Sequence, residues 1–398
     1  MAKLFQTSIQ KLDQYLGGGV PEQKVVLFSS LPDVNFRAFM AQIFHNMVKN
    51  GASGIIFVTS MLPSIVREFF KEYGFDLSPF EDRIVVIDCY SSRVGKESTE
   101  DIYLNFPFTV EDIMSAYEKA IEKLGNERTV IVMSAISDFM DIFGNEKGLE
   151  LIVKWMECGN VNKIGLFGNV EWVENGVPLE RFNSVIKLGL VNLKYIPIEY
   201  FQVLKVDWTE LQKKKVFYKI VKGVGVKPFI PKILVTGPYN AGKSSYIYTA
   251  SRRSVSVDRS GSTIALDYGQ VELDDMEVDI FGTPGQERFD PILEQLGGSA
   301  LGVVLILDST DPDTFERAKE MLKKTRTYNL PCVIVANKQN LKGALTADEV
   351  NGKLNLEREV PIIPVSIAEG ETPKKGQFCL LNREDVKKSL KILIDMIM

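Results

Sequence analysis

The stretch KILVTGPYNAGKSS, Lys232 to Ser245, constrains this chain more than any other. Three apolar, strand-favouring residues, Ile233, Leu234 and Val235, run into Gly237–Ser244, which fits the spacing G-x-x-x-x-G-K-[ST]. A glycine-rich turn of this kind points successive backbone N–H groups at phosphate oxygens, and the helix behind it adds the positive end of its dipole. The cofactor-contacting set expected here is Gly237, Tyr239, Asn240, Ala241, Gly242, Lys243, Ser244 and Ser245. Lys243 is placed to reach the β- and γ-phosphates, and the Ser244 hydroxyl to bind Mg²⁺. The stretch reads as a nucleotide site.

With 398 residues, the chain has room for two or three domains. A net charge of −5 gives no general attraction to nucleic acid or anionic membrane. Cys89, Cys158, Cys332 and Cys379 form no C-x-x-C pair, so they read as reduced thiols of a cytoplasmic protein, each a small buried hydrophobe. Lys3 is not followed by a sustained apolar segment, so no signal peptide is expected. No run reaches the roughly 18 apolar residues of a spanning helix. His45 is the single histidine, which excludes a multi-histidine metal site; it is expected on the surface of a helix.

Upstream, residues 1–225 alternate apolar runs with helical patterns. Strands are expected at Val25–Phe28, Ile55–Thr59, Ile84–Ile87 and Val130–Met133. Between the first two, Phe36, Met40, Ile43 and Met47 fall at helical spacing, with Asn35 as the expected N-cap. The order implies a parallel α/β sheet. The opening TSIQKLDQYLGGGVPEQ, through Thr7, Ile9, Leu12, Asp13, Gly17, Gly18, Gly19 and Pro21, resembles that of the RecA-like KaiC/RadA family. In that family the opening is followed by a strand and a phosphate loop. Here the loop reads SSLPDVNFRA, and Phe36 and Arg37 stand where the family carries its phosphate-binding Lys and metal-binding Ser or Thr. Met133 occupies the position of the metal-binding acid, and Ser60-Met61 that of the acidic pair. These departures imply a RecA-like domain without Walker motifs, serving as a scaffold or docking module. Past Val191 the alternating pattern predicts an antiparallel edge, with Lys213–Lys215 at a solvated hairpin tip.

Downstream, residues 226–398 carry further motifs in order. VDIFGTPGQERF is followed by the apolar run Leu301–Leu307, a helix near Thr314–Tyr328, and Cys332–Ala336 leading into ANKQN. Pro361–Val365 then ends in SIA, Ser366 to Ala368. The series resembles the small GTPases of the Ras/Arf superfamily, in particular the prokaryotic Arf-like and MglA-type branches. The resemblance implies GTP or GDP with Mg²⁺ as cofactors. It implies Thr263 as the second metal ligand, Gly285 at the γ-phosphate and Gln286 as the catalytic residue orienting water. Asn337, Lys338, Asn340, Ser366 and Ile367 would contact the base. Two positions depart from the family. Gly282 replaces the acid that holds Mg²⁺ through water, which predicts weaker metal retention. Asn340 replaces an Asp, which predicts a lower guanine affinity or a lower advantage of guanine over xanthine, unless local backbone or water contacts compensate. Tyr239 and Asn240 are bulky for their loop, so intrinsic hydrolysis should be slow; Arg252, Arg253 and Arg259 are read as solvated.

The tail NREDVKKSLKILIDMIM predicts an amphipathic helix closing the sheet, with Val386, Leu390, Ile392, Leu393 and Met396 on its apolar face. The fold class expected is therefore α/β: two P-loop-type domains with mainly parallel sheets, RecA-like first and small-GTPase-like second. The function expected is a cytoplasmic GTP-binding signalling switch, working with a protein effector or regulator or by self-association through the first domain. No nucleic acid and no membrane span are expected. Two other classes compete. A non-hydrolysing nucleotide-binding scaffold would show no turnover; a RecA-type ATPase acting on DNA would need ATP bound in residues 1–225.

Overall fold

Runs rich in valine, isoleucine and phenylalanine alternate with stretches of helical period, and each run becomes a strand. The computed structural model describes residues 3–31, 33–125, 130–158, 162–167, 178–193, 196–251, 253–256, 267–273, 275–283, 285, 300–326, 330–356, 359–369 and 379–397. The chain divides into two compact units. One comprises Met1–Val191 with Pro197–Phe229, the other Asn192–Ile196 with Ile230–Met398.

In the first unit the main strands are β1 (Val25–Ser30), β2 (Ser53–Val58), β3 (Ile84–Asp88), β4 (Val130–Ala135), β5 (Asn162–Phe167) and β6 (Ser184–Leu193). They pair in parallel in the order β3-β2-β4-β5-β1-β6. Helices α1 (Phe36–Lys49), α2 (Pro63–Glu72), α3 (Val110–Leu124), α4 (Ile136–Phe143) and α5 (Asn145–Glu157) connect them. Strands β7 (Ile196–Val206), β8 (Lys215–Val221) and β9 (Gly225–Phe229) follow as antiparallel neighbours, as the alternating pattern predicts. Every residue of β1 and β2 is buried, because helices cover both faces of a parallel sheet. Against one face, Phe39 of α1 packs on Phe28, Phe201 and Tyr218, with ring centroids 6.3, 5.8 and 4.7 Å away. On the other, Tyr117 and Phe139 meet Phe57. Each such ring contributes about 1.5–3 kcal/mol of burial.

The opening motif does structural work. Asp13 Oδ1 accepts hydrogen bonds from the Thr7 N–H at 2.7 Å and the Thr7 hydroxyl at 2.8 Å. At Gly19 the backbone has φ +142°, and a Cβ would come within 2.6 Å of the Phe5 carbonyl, so only glycine fits. Three expectations need correction. Asn35 takes the N-cap position of α1, but its side chain donates to Tyr73 Oη at 3.0 Å instead of capping. His45 is half-buried between Phe75 and Phe80, with centroids 5.5 and 5.7 Å away; burial there holds its pKa below the usual value. Cys89 and Cys332 are buried, but Cys158 and Cys379 keep partial exposure.

In the second unit the strands are β10 (Lys232–Thr236), β11 (Arg253–Ser256), β12 (Asp267–Leu273), β13 (Met276–Gly282), β14 (Gly302–Asp308), β15 (Cys332–Asn337) and β16 (Ile362–Pro364). Their order is β11-β12-β13-β10-β14-β15-β16, parallel except for the β11–β12 and β12–β13 pairings. Helices are α6 (Lys243–Ala250), α7 (Phe315–Arg326), α8 (Ala347–Leu354) and α9 (Arg383–Ile397). The tail forms α9, whose buried face is Val386, Leu390, Leu393, Ile394 and Ile397. Ile392 and Met396, assigned to that face from sequence, are only half-buried: a repeat of three and four residues from Val386 selects Ile394 and Ile397 in their place. A buried hydrogen bond of 2.7 Å between the Tyr246 and Ser389 hydroxyls ties α6 to α9. Strand β10 lies between β13 and β14, so the chain leaves it first to one side and later to the other. Its carboxyl end, the place where ligands bind sheets of this type, leads into Gly237.

Candidate nucleotide site

Beyond Thr236 the chain turns through residues whose geometry dictates their identity. At Gly237, with φ +148°, a Cβ would sit 2.1 Å from the Ile306 carbonyl oxygen of β14. Asn240 has φ +63°, a left-handed conformation that Asn tolerates better than most residues. Gly242, at φ +100°, is the N-cap of α6, and a Cβ there would meet Asn337 Nδ2 at 2.2 Å. Ala241 is buried, while Tyr239 is 73% exposed at the crest of the turn. Ser245 lies in the first turn of α6, its carbonyl accepting from the Thr249 hydroxyl at 2.7 Å.

The Lys243 ammonium folds over this turn and donates to the Gly237 and Pro238 carbonyls at 2.9 and 2.7 Å. Burial pushes its pKa down to about 8, against the opposing influence of the Asp267 carboxylate. The Ser244 hydroxyl donates to Asp267 Oδ2 at 2.6 Å. On the far side of the turn, Thr283 anchors the third motif: its N–H donates to the Val235 carbonyl at 2.9 Å and its hydroxyl to Thr236 Oγ1 at 2.8 Å. Gly285 lies directly on the turn, where a Cβ would be 2.5 Å from the Tyr239 nitrogen. Thr263 and Gln286, the expected second metal ligand and catalytic residue, lie outside the described residues, as do Arg252 and Arg259.

The residues expected to contact the base converge from two strand ends. Asn337, buried at the end of β15, donates from Nδ2 to the Ala241 carbonyl at 2.9 Å, which links this motif to the phosphate turn. Its Oδ1 is buried without a hydrogen-bond partner. Lys338, at φ +65°, pairs with Asp308 Oδ2 at 2.5 Å. Burial raises the Asp308 carboxyl, but hydrogen bonds from Lys338 and Thr310 outweigh it and leave the group below its ordinary value. Asn340 Oδ1 accepts from the Ile367 N–H at 3.4 Å, and the Ser366 carbonyl accepts from the Asn382 N–H at 2.8 Å. The structure thus assembles Asn337, Lys338, Asn340, Ser366 and Ile367 beside the turn. Two participants were missed as site residues in the sequence. Asp308 directly follows the apolar run Leu301–Leu307, and Asp267 is the first residue of β12; neither belongs to a motif in the sequence.

These residues fit a purine nucleotide with a hard cation. Glycines at 237, 242 and 285 leave a close-walled cradle that any Cβ would fill, and an orphaned amide oxygen remains on Asn337. Among the described residues no group of three or more His, Cys, Asp or Glu side chains could hold a metal. A cation here would therefore draw on hydroxyls, phosphate oxygens and water, the ligand set Mg²⁺ prefers.

The corresponding region of the first unit is different. The Asn35 N–H donates to Glu199 Oε1 at 3.0 Å, Phe36 is half-buried and Arg37 is exposed. Asp138 accepts from the Thr59 hydroxyl, and burial raises its carboxyl above the usual range against that hydrogen bond. Among the described residues no helix is long and apolar enough to cross a membrane.

Comparison with known proteins agrees with both halves. The profile of the family described as "ATPase: KaiC" matches residues 5–232, and that of the ADP-ribosylation factor family matches residues 217–397. A UPF0273 protein of Pyrococcus horikoshii is 28% identical over 134 residues, which are 33% of this chain and 54% of that protein. This chain thus spans about half the length of that relative. The Ras-related protein RIC2 of Oryza sativa is 30% identical over 138 residues, 33% of this chain and 63% of that protein. The Ras-related protein RABA6b of Arabidopsis thaliana is 29% identical over 175 residues, 42% of this chain and 76% of that protein. Among solved structures, a KaiC-like protein from Pyrococcus horikoshii matches with TM-score 0.48 and 17% identity, covering 57% of this chain and all of that one.

Proposed function

The chain belongs to the KaiC family through residues 5–232, its residues 217–397 match the ADP-ribosylation factor family, and we propose that it is a guanine-nucleotide switch whose only nucleotide site is in the second domain. Residues 1–225 would form the docking domain and 226–398 the switch. Lys243 and the amides of Asn240–Ser244 hold the phosphates of GTP or GDP. Ser244 and Thr263 hold Mg²⁺, which neutralises charge on the phosphates when bound. Asn337, Lys338, Asn340, Ser366 and Ile367 seat the base. Gln286 orients the attacking water, and loops carrying Thr263 and Gly285 respond to the γ-phosphate, changing a surface that a protein partner reads. One observation carries this reading. The Asn337 amide bonds the Ala241 carbonyl, so the base motif and the phosphate turn are one unit, built around glycines at which no side chain fits.

The first domain keeps the family's sheet and opening motif, but where its loop chemistry would sit it presents Phe36, Arg37 and the carboxylate of Glu199. We assign it docking and self-association rather than ATP turnover. Slow phosphate release from GTP by the purified protein, abolished by Gln286→Ala, is the expected result. A second reading, nucleotide binding without hydrolysis, is favoured by the exposed bulk of Tyr239 over the turn. No release by the native protein, alone or with a partner, would decide for it.

A further inference from the structure

We propose that Asp267 replaces the metal-holding acid missing at position 282, supplied from the adjacent strand and acting through Ser244. The inference rests on the reading of Gly237–Ser244 as a site for phosphates and Mg²⁺. Strands β12 and β13 are antiparallel with Tyr268 opposite Phe281, so Asp267 stands beside Gly282 at the next step of the ladder. A Cβ built on Gly282 would be 3.1 Å from Asp267 Cβ and 3.5 Å from its Oδ2. The Asp267 carboxylate therefore fills the volume that a side chain at 282 would enter. Gly282 has no left-handed φ, so the backbone itself does not demand glycine there. The neighbouring side chains account for it, since Ile247 Cδ1 would also lie 2.7 Å from that Cβ.

The hydrogen bond gives the acid its role. The Ser244 hydroxyl spends its single proton on Asp267 Oδ2 at 2.6 Å. Its lone pairs remain available to a cation. A carboxylate in this place orients the hydroxyl oxygen, raises its electron density and adds negative charge next to the ion, as outer-shell acids do at other metal sites. Asp267 is thus a positioning residue, and the weak metal retention that Gly282 implies in the sequence does not follow.

The test is Mg²⁺-dependent release of a fluorescent GDP analogue from the full chain, measured for the native protein, Asp267→Asn, and the transplant Asp267→Ala with Gly282→Asp. In Asp267→Asn, Mg²⁺ affinity of the nucleotide complex should fall by about 10- to 100-fold, while GDP affinity in EDTA stays native. The transplant should recover most of the Mg²⁺ affinity, because removing the Asp267 carboxylate vacates part of the space the new acid needs and the flexible end of the Ile247 side chain can give the rest. Asp267→Asn with unchanged Mg²⁺ affinity overturns the proposal. So does an equal loss of GDP affinity with and without Mg²⁺, which marks a purely structural role. If the native chain binds no guanine nucleotide, the site reading itself fails and the proposal with it; Lys243→Ala, run alongside, tells that failure from the others.

Discussion

Replacing Asn340 with Asp should tighten guanine-nucleotide binding, and the structure sets the size of the gain. Guanine offers two donors on its edge, N1–H and the exocyclic amine. The exposed Asn340 amide has one acceptor oxygen, which already accepts the Ile367 N–H at 3.4 Å, and its other terminus is a donor. With guanine bound, one donor faces another, at a cost of about 1–3 kcal/mol. At about 1.4 kcal/mol per decade this is roughly 5- to 150-fold in affinity. Water reaches Asn340, which favours the lower part of that range. An Asp accepts both guanine donors, whereas xanthine places an oxygen at C2 that suits the Asn amide and repels a carboxylate. Asn340→Asp should therefore strengthen GDP, weaken XDP, and leave the melting temperature unchanged. Equilibrium competition of GDP and XDP against a fluorescent nucleotide measures both. A GDP-to-XDP preference that is the same in native and variant protein would refute the reasoning.

Two further outcomes follow from packing and charge. Gly242→Ala combines a left-handed backbone with a Cβ at 2.2 Å from Asn337 Nδ2. It should cost about 1–3 kcal/mol of strain, break the Asn337–Ala241 link and lower both thermal stability and GDP affinity, read by calorimetry and nucleotide titration. Asp138 is raised in the folded chain mainly by burial, against hydrogen bonds from Thr59 and Ser60. A raised acid costs stability at any pH where it is ionised, and the cost vanishes below the unfolded value of about 4. Asp138→Asn should therefore raise the melting temperature near neutral pH, with the gain shrinking toward acid; a gain independent of pH would contradict this sign.

The sequence was most legible where the chemistry is contiguous. Gly237 to Ser244 states its own turn, because each glycine answers a local clash or a left-handed φ. The parallel sheets were visible as apolar runs. Contacts set by register were not visible. Asp267 lies fifteen residues from Gly282 in sequence, and only the β12–β13 ladder puts its carboxylate beside that position. The Lys338–Asp308 pair likewise depends on β14 and β15 lying side by side, with Asp308 in register with Asn337. The buried face of α9 was misassigned at Ile392 and Met396 because an apolar residue near a helical stripe looks the same in sequence as one on it. His45 was misread because Phe75 and Phe80, which enclose it, come from a later part of the chain, beyond α2.

The central claim is a single nucleotide site on the second domain, gripped by Lys243, with none in the first. Isothermal titration of the full chain with GDP and with ATP, in native and Lys243→Ala forms, tests it most directly. The expected result is one GDP per native chain, an affinity lower by about 10- to 100-fold in Lys243→Ala from loss of a charged hydrogen-bond donor, and no binding of ATP to either form. ATP binding that survives Lys243→Ala, or GDP affinity that the substitution leaves untouched, would contradict it.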